Sequence, residues 1–263
     1  MEHALVAITA LFAAGLTFFS GFGLGTILLP VFALFLPAEL AVAGTGVVHL
    51  ANNLFKLALM GRRADRGIAV RFGVPAVLAA LLGAWLLGRM AALPALASWS
   101  AWGRQFHVAP LGLAIAAVIV FFAAFDLVPR LRTWRVPPRF MPLGGALSGF
   151  FGGLSGHQGA LRSAFLTKAG LTKEAFIGTG VVITCAVDLT RLGVYSGTLG
   201  RSLEGPGTEW ARLGPLLAIA CVAALVGSLV GARLVRKVTI DAVRTIVGIG
   251  LILLGLALGT GVI

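Results

Sequence analysis

The chain has 263 residues, 59% of them hydrophobic and only 11% charged, with a mean hydropathy of +1.01. A soluble globule needs a charged surface over one core, so this composition excludes an ordinary soluble domain and makes the lipid bilayer the solvent. The net charge of +12 does not mark a nucleic-acid binder, because the basic residues fall in short loops between long apolar runs, where the positive-inside rule puts them.

Met1-Glu2-His3 lacks the basic opening of a signal peptide, and no small-residue cleavage site follows, so the first apolar run reads as retained structure. That run covers 4–20, breaks at Ser20-Gly-Phe-Gly-Leu-Gly-Thr26 and resumes over 27–36. Apolar segments 40–60, 68–90 and 108–128 follow. A second break, Gly152-Gly-Leu-Ser-Gly-His-Gln-Gly159, separates 142–151 from 160–169, and segments 175–195, 213–235 and 242–263 complete the chain. Most reach the ~20 residues a helix needs to cross the hydrocarbon. Cys185 and Cys221 sit inside apolar runs and read as small buried filler, not as a disulfide.

The two breaks correspond. Gly44-Thr-Gly-Val-Val48 recurs letter for letter as Gly178-Thr-Gly-Val-Val182, and the same offset of 134 residues carries Gly15 onto Gly149 and Gly25 onto Gly159. At an offset of 135, Asn53-Leu-Phe-Lys-Leu57 falls on Asp188-Leu-Thr-Arg-Leu192. The chain therefore reads as a duplication, 1–135 and 136–263, within one transmembrane domain. Of its 21 Lys and Arg residues, 14 cluster in four loops, around Arg63, Arg135, Lys173 and Arg236, which the positive-inside rule assigns to the cytoplasm. Both termini and the loops around Trp99 and Gly205 then lie outside, which fits a bacterial inner membrane. Each half has an odd number of crossings, so the halves point opposite ways. The expected fold is an all-α integral membrane protein of two inverted-topology repeats, each with a glycine-broken helix pair plus three spanning helices. Broken helices at matching positions of two such halves are the strongest sequence pointer to a transport site.

Candidate site residues follow from charge cost. The segment 40–60 puts Thr45, His49, Asn52 and Lys56 on one helical face, and 175–195 puts Thr184, Asp188, Arg191 and Tyr195 at the same spacings. Ionisable residues at membrane depth usually line a cavity or pair internally, so Asp188 is expected to pair with Lys56 or Arg191. In Gly156-His-Gln-Gly-Ala-Leu-Arg162, a helix restarting at Gly159 offers free amides to an anion, Arg162 adds a planar fork, and His157 and Gln158 add donors. The expected substrate site lies between the two breaks, with Gly23 and Gly25 from the first and Arg162, His157, Gln158 and Gly159 from the second, and Asn53, Lys56, Asp188 and Arg191 beside them. Asp188 or His157 is the candidate for proton coupling. No metal site, cofactor or nucleotide loop is expected: Gly21-Phe-Gly-Leu-Gly25 has no strand before it and no Gly-Lys-Ser/Thr after it.

With the break Ser20-Gly-Phe-Gly-Leu-Gly25 followed by Pro30, the Asn53-x-x-Lys56 helix with its basic turn, and the repeated arrangement from Gly152, the chain resembles the sulfite exporter TauE/SafE family, also called the 4-toluene sulfonate uptake permease family. The resemblance spans essentially the whole chain and implies secondary transport of a small sulfur-containing anion, sulfite or an organosulfonate such as sulfoacetate. Ser155-Gly-His-Gln158 and Arg162 depart from a plainer glycine-rich pattern. The alternatives are an anion channel, a membrane assembly protein without flux, or a membrane enzyme; no nucleophile with its base and no His-Glu-x-x-His supports the last.

Overall fold

The first break ends in a left-handed Gly23 (φ 111°), which only a residue without Cβ adopts readily, and the second turns at Gly156 (φ 83°). In the computed structural model, which describes residues 1–16, 23–128, 136–199, 209–234 and 240–262, helices flank both points. The first pair is α1 (Glu2–Leu16) and α2 (Leu24–Ala33), followed by α3 (Ala38–Met60), α4 (Arg66–Ala91) and α5 (Pro110–Leu127). The second pair is α6 (Met141–Ser155) and α7 (Gly159–Leu166), followed by α8 (Lys173–Leu199), α9 (Glu209–Leu234) and α10 (Ile240–Gly259). Local chemistry sets several starts: Asp65 caps α4 by accepting from the Ile68 amide at 2.8 Å, and Pro110 opens α5, where its missing N–H costs nothing.

The protein is thus an all-α membrane protein with one departure. The loop expected around Trp99 is a β-hairpin, β1 (Ala97–Ala101) with β2 (Arg104–Val108). Trp102 (φ 50°) and Gly103 (φ 73°) supply the two positive-φ positions that a two-residue hairpin turn requires. Trp99 stacks on Phe106 with ring centroids 4.6 Å apart and donates its indole N–H to the Thr260 carbonyl at 2.8 Å, which straps the hairpin to the end of α10.

Glycine governs how the helices close on one another. Along α6, Gly145, Gly149 and Gly153 face the Phe72, Ala76 and Ala80 carbonyls of α4 in rising register, so the two helices run parallel with their backbones nearly touching. Gly227 and Gly231 of α9 meet Leu11 and Gly15 of α1 in the same sense. This is small-residue packing spaced four apart, the usual way membrane helices gain van der Waals contact where lipid offers no hydrophobic drive. In contrast, α3 and α8 are antiparallel, with Gly46 near Arg191 and Met60 near Gly178, and so are α5 and α10, with Ala116 near Gly255 and Leu127 near Gly248. Both ends of the α6–α7 pair return to one side, where Gly144 packs on the Phe165 ring, so that pair enters and leaves from the same face. Among the described residues, Arg66–Ala91, Lys173–Gly197 and Leu213–Gly231 are long and apolar enough to cross a membrane. Leu78, Leu82, Trp85, Leu189 and Val222 stay exposed, as lipid-facing side chains do.

Of the basic residues used for orientation, Arg130, Arg132, Arg135, Arg201, Arg236 and Lys237 lie outside the described residues, as do the Gly205 loop and Ser20 to Phe22 of the first break.

A methyl group at Gly149 would overlap the Ala76 carbonyl, whereas one at Gly193 meets nothing within 4 Å. Gly149→Ala should therefore cost about 1–3 kcal/mol through overpacking, and Gly193→Ala should be neutral or slightly stabilising in the helix. Thermal unfolding of both variants in detergent checks this contrast; equal midpoints would refute the close α4–α6 contact.

Candidate functional site

The two polar stripes read from the sequence face each other. Thr45, His49, Asn52 and Lys56 on α3 and Thr184, Asp188, Arg191 and Tyr195 on α8 are all buried, where the antiparallel helices cross beside the breaks. Lys56 and Arg191 do not reach out to the membrane surface: they are 5% and 1% exposed.

Asp188, wholly enclosed, is the hub. Its Oδ2 lies 2.7 Å from His49 Nδ1, and its Oδ1 accepts from Arg191 Nε at 2.9 Å and Gln158 Nε2 at 3.1 Å, with Arg191 Nη2 also at 2.9 Å. One carboxylate thus ties α3, α8 and the second break together through charge-assisted bonds. Room for the Arg191 guanidinium comes from two glycines: a Cβ on Gly46 would sit 3.2 Å from its Cζ, and one on Gly156 would sit 3.0 Å from its Nη1. The expected choice of partner for Asp188 resolves to Arg191, with His49 added.

Lys56 belongs elsewhere. It lines a small cavity of about 20 Å³ with Asn53, Arg162, Phe176 and Gly180. Arg162, 4% exposed, donates to the Thr184 hydroxyl, which in turn donates to the Gly180 carbonyl at 2.8 Å. Gly180 lies beside it, where a Cβ would come into ordinary contact, 3.4 Å from Arg162 Nε. Two cationic side chains and an amide share this pocket, one helical turn or two from Asp188.

The second break is closed by side chains. Ser148 Oγ donates to the Gln158 carbonyl at 2.8 Å, and the Tyr195 hydroxyl donates to the Gly153 carbonyl, so backbone groups freed by the break are satisfied at depth. His157 stacks on Phe122, with ring centroids 5.7 Å apart and planes 6° apart, and its Nδ1 lies 3.2 Å from Ser155 Oγ. Gly25 brings the first break to the second: a Cβ there would lie 3.8 Å from the Gly156 carbonyl oxygen and 3.7 Å from the Thr45 methyl. Among the described residues, Thr45 Oγ1, Asn52 Nδ2, His157 Nε2, Gln158 Oε1 and Arg191 Nη1 are buried polar atoms without a hydrogen-bond partner.

The sequence expectation placed ten residues at one site, and the structure distributes them. Gly25, His157, Gln158, Asp188 and Arg191 surround the junction of the breaks, and Gly23 and Gly159 begin the helices that leave it. Arg162 was expected between the breaks but sits with Asn53 and Lys56, where its guanidinium donates to Thr184 on α8. Sequence reasoning left His49, Thr184 and Tyr195 out of the site. Their signal was the stripe spacing alone, and nothing local showed which stripe members face each other.

A family model described as Sulfite exporter TauE/SafE matches residues 6–258, nearly the whole chain. No curated protein matches it at a level that marks a relative.

Removing one partner of a buried charge pair leaves the other uncompensated, so Asp188→Asn should destabilise the protein by about 3–5 kcal/mol. Adding Arg191→Gln to Asp188→Asn should recover part of that loss, because the stranded cation goes too. Thermal stability of the two single variants and the double variant measures the coupling, and strictly additive losses would contradict the Asp188-centred network.

Proposed function

We propose, from the premise that the chain belongs to the sulfite exporter TauE/SafE family, that it is a secondary transporter for sulfite or a small organosulfonate such as sulfoacetate. The family is one of membrane transporters of sulfur anions, and the protein is a multi-pass membrane protein. The observation that carries the finer reading is the pocket where Lys56, Arg162 and Asn53 converge, deep between α3, α7 and α8. Among the described residues, the buried charged side chains are Lys56, Arg162 and Arg191 against the single carboxylate of Asp188. An interior of that sign favours an anion, and a guanidinium fork with an ammonium and an amide offers charge-assisted donors to the oxygens of a sulfur oxyanion once the cavity, with room here for about one water, widens to admit it.

The inverted-repeat reading is part of this proposal, with residues 1–135 and 136–263 as its halves. It is supported by the packing senses. A two-fold axis lying in the membrane plane makes each helix antiparallel to its own counterpart, as α3 is to α8 and α5 is to α10. It also makes the exchanged pairs alike, as α4 with α6 and α9 with α1 are both parallel. With both termini outside a bacterial inner membrane, the Lys56 pocket lies toward the cytoplasm, beyond the Asp188 hub. An inside-negative potential then favours export of an anion by ~2.3 kcal/mol per charge per 100 mV.

Proteoliposomes loaded with radiolabelled sulfite or sulfoacetate test the proposal through efflux driven by an imposed potential. Wild type should pass both anions. Arg162→Gln and Lys56→Gln should each weaken anion affinity by about 1.5–3 kcal/mol for a lost charged hydrogen bond. Arg162→Lys, which keeps the charge but not the fork, should weaken sulfonate binding more than chloride binding. Flux of neither sulfur anion by folded wild type would refute the transport reading.

A further inference from the structure

The Lys56 pocket has a counterpart. The 134-residue offset carries Gly46 onto Gly180, and the 135-residue offset carries Asn53 onto Asp188 and Lys56 onto Arg191. The structure keeps this correspondence in space: Gly180 shares the pocket of Lys56 and Asn53, and Gly46 lies against Arg191, which Asp188 grips. Each place has a cation on one long helix and a bare glycine on the other. They differ in the cation, lysine against arginine, in Arg162, whose counterpart at the 134-residue offset is Leu28, and at the position beside the cation, where the first holds a neutral amide and the second a carboxylate.

We propose that Arg191 marks a second anion position, equivalent to the Lys56 pocket, in which the Asp188 carboxylate stands as a built-in substitute for the substrate's negative charge. The inference rests on the transport reading above and adds the place where the anion goes next. Three further observations point to a ligand there. Arg191 Nη1 is fully buried, makes no hydrogen bond of its own in a guanidinium that also interacts with Tyr195, and lies beside Gly156, the turn of the second break. His157 Nε2, in the same turn, is buried and unpartnered as well. Thr45 Oγ1, whose side chain packs against Gly25 of the first break, is the third such atom. A sulfonate or sulfite that replaced the carboxylate on Arg191 would engage donors that the carboxylate leaves unused.

Neutralising Asp188 is what frees the position. His49 is the route for the proton: its Nδ1 lies 2.7 Å from Asp188 Oδ2, and its side chain keeps 11% of its surface open, whereas those of Asp188 and Arg191 keep 0% and 1%. A proton taken up by the His49–Asp188 pair cancels the carboxylate charge, and Arg191 turns to the anion. When the anion leaves, the carboxylate pairs again with Arg191 and the proton is released. The other ionisable groups around the pair are Lys56 on α3, Cys185, Arg191 and Tyr195 on α8, and His157 and Arg162 at the second break and α7. The sequence of α2 contains none, α9 adds the half-buried Cys221 and reaches Asn52 through Ser228, and α4 and α5 bring none among the described buried residues. Binding of proton and anion is therefore cooperative, and each strengthens the other by the same factor.

Equilibrium binding of radiolabelled methanesulfonate, which has no titrating proton between pH 5.5 and 8, to the purified full-length protein counts the positions. Wild type should bind one anion per chain at about pH 8 and two at about pH 5.5. Asp188→Asn should bind two at both pH values, and Asp188→Asn with Arg191→Gln should return to one. His49→Asn, which keeps a donor at the Nδ1 position but carries no proton, should stay at one throughout. A single site in folded Asp188→Asn overturns the proposal. If that variant does not fold, the wild type decides alone, since one site at both pH values overturns it equally. Absence of methanesulfonate binding in every protein would instead overturn the transport reading, and this inference with it.

Discussion

A charge at the middle of a bilayer has no water to solvate it, so the protein must supply the partner. Asp188 meets this constraint with a histidine from α3, an arginine one turn along its own helix and a glutamine from the second break. Those three bonds hold together the helices that carry the site and fix the depth at which the break lies. Without the carboxylate, Arg191 would be a stranded cation; without Arg191 and His49, the carboxylate could not stay ionised in so enclosed a place. The placement of Gln158, and through it of α7 and Arg162, depends on the same hub.

Glycine makes that hub reachable. Gly46 and Gly156 leave the volume that the Arg191 guanidinium fills, and the Gly145–Gly149–Gly153 ladder lets α6 approach α4 with backbones nearly touching. In this sense the high glycine content is not a sign of looseness. Most of these glycines lie inside helices, where the residue is intrinsically unfavourable, and each offsets that cost by admitting a backbone or a buried cation that a Cβ would exclude.

Much of this architecture was legible in the sequence. Apolar runs of about the bilayer's thickness gave the helices. Two glycine clusters gave the breaks, and the duplicated Gly44-Thr-Gly-Val-Val48 motif singled out α3 and α8 as related segments. The polar stripes were legible for the same reason, because helical spacing is a property of the chain alone. What could not be read was which members of the two stripes meet. That depends on the crossing register of α3 on α8, which is set by contacts such as Gly178 on Met60 at their ends. Hence Arg162 was expected at the junction of the breaks and is found at the Lys56 pocket, while His49, a neutral-looking member of a stripe, proved to be the partner of Asp188. The hairpin escaped notice because its short, mixed strands carry no clear alternation, and its anchor, Trp99 on Thr260, is a contact between distant parts of the chain.

The account places two cationic positions on one path through the protein, about 10 Å apart as measured along α3 from His49 to Lys56 at 1.5 Å per residue. The central claim is that the Lys56 position holds the substrate. Selenite has the pyramidal shape of sulfite, is likewise anionic and scatters X-rays anomalously, so diffraction at the selenium edge from crystals grown with it locates the anion directly. The account predicts, at about pH 8, an anomalous peak within hydrogen-bonding distance of the Lys56 ammonium and the Arg162 guanidinium, on the Asn53 side of the cavity. Selenium peaks confined to the exposed arginines at the ends of the helices, with none at this pocket, would contradict it.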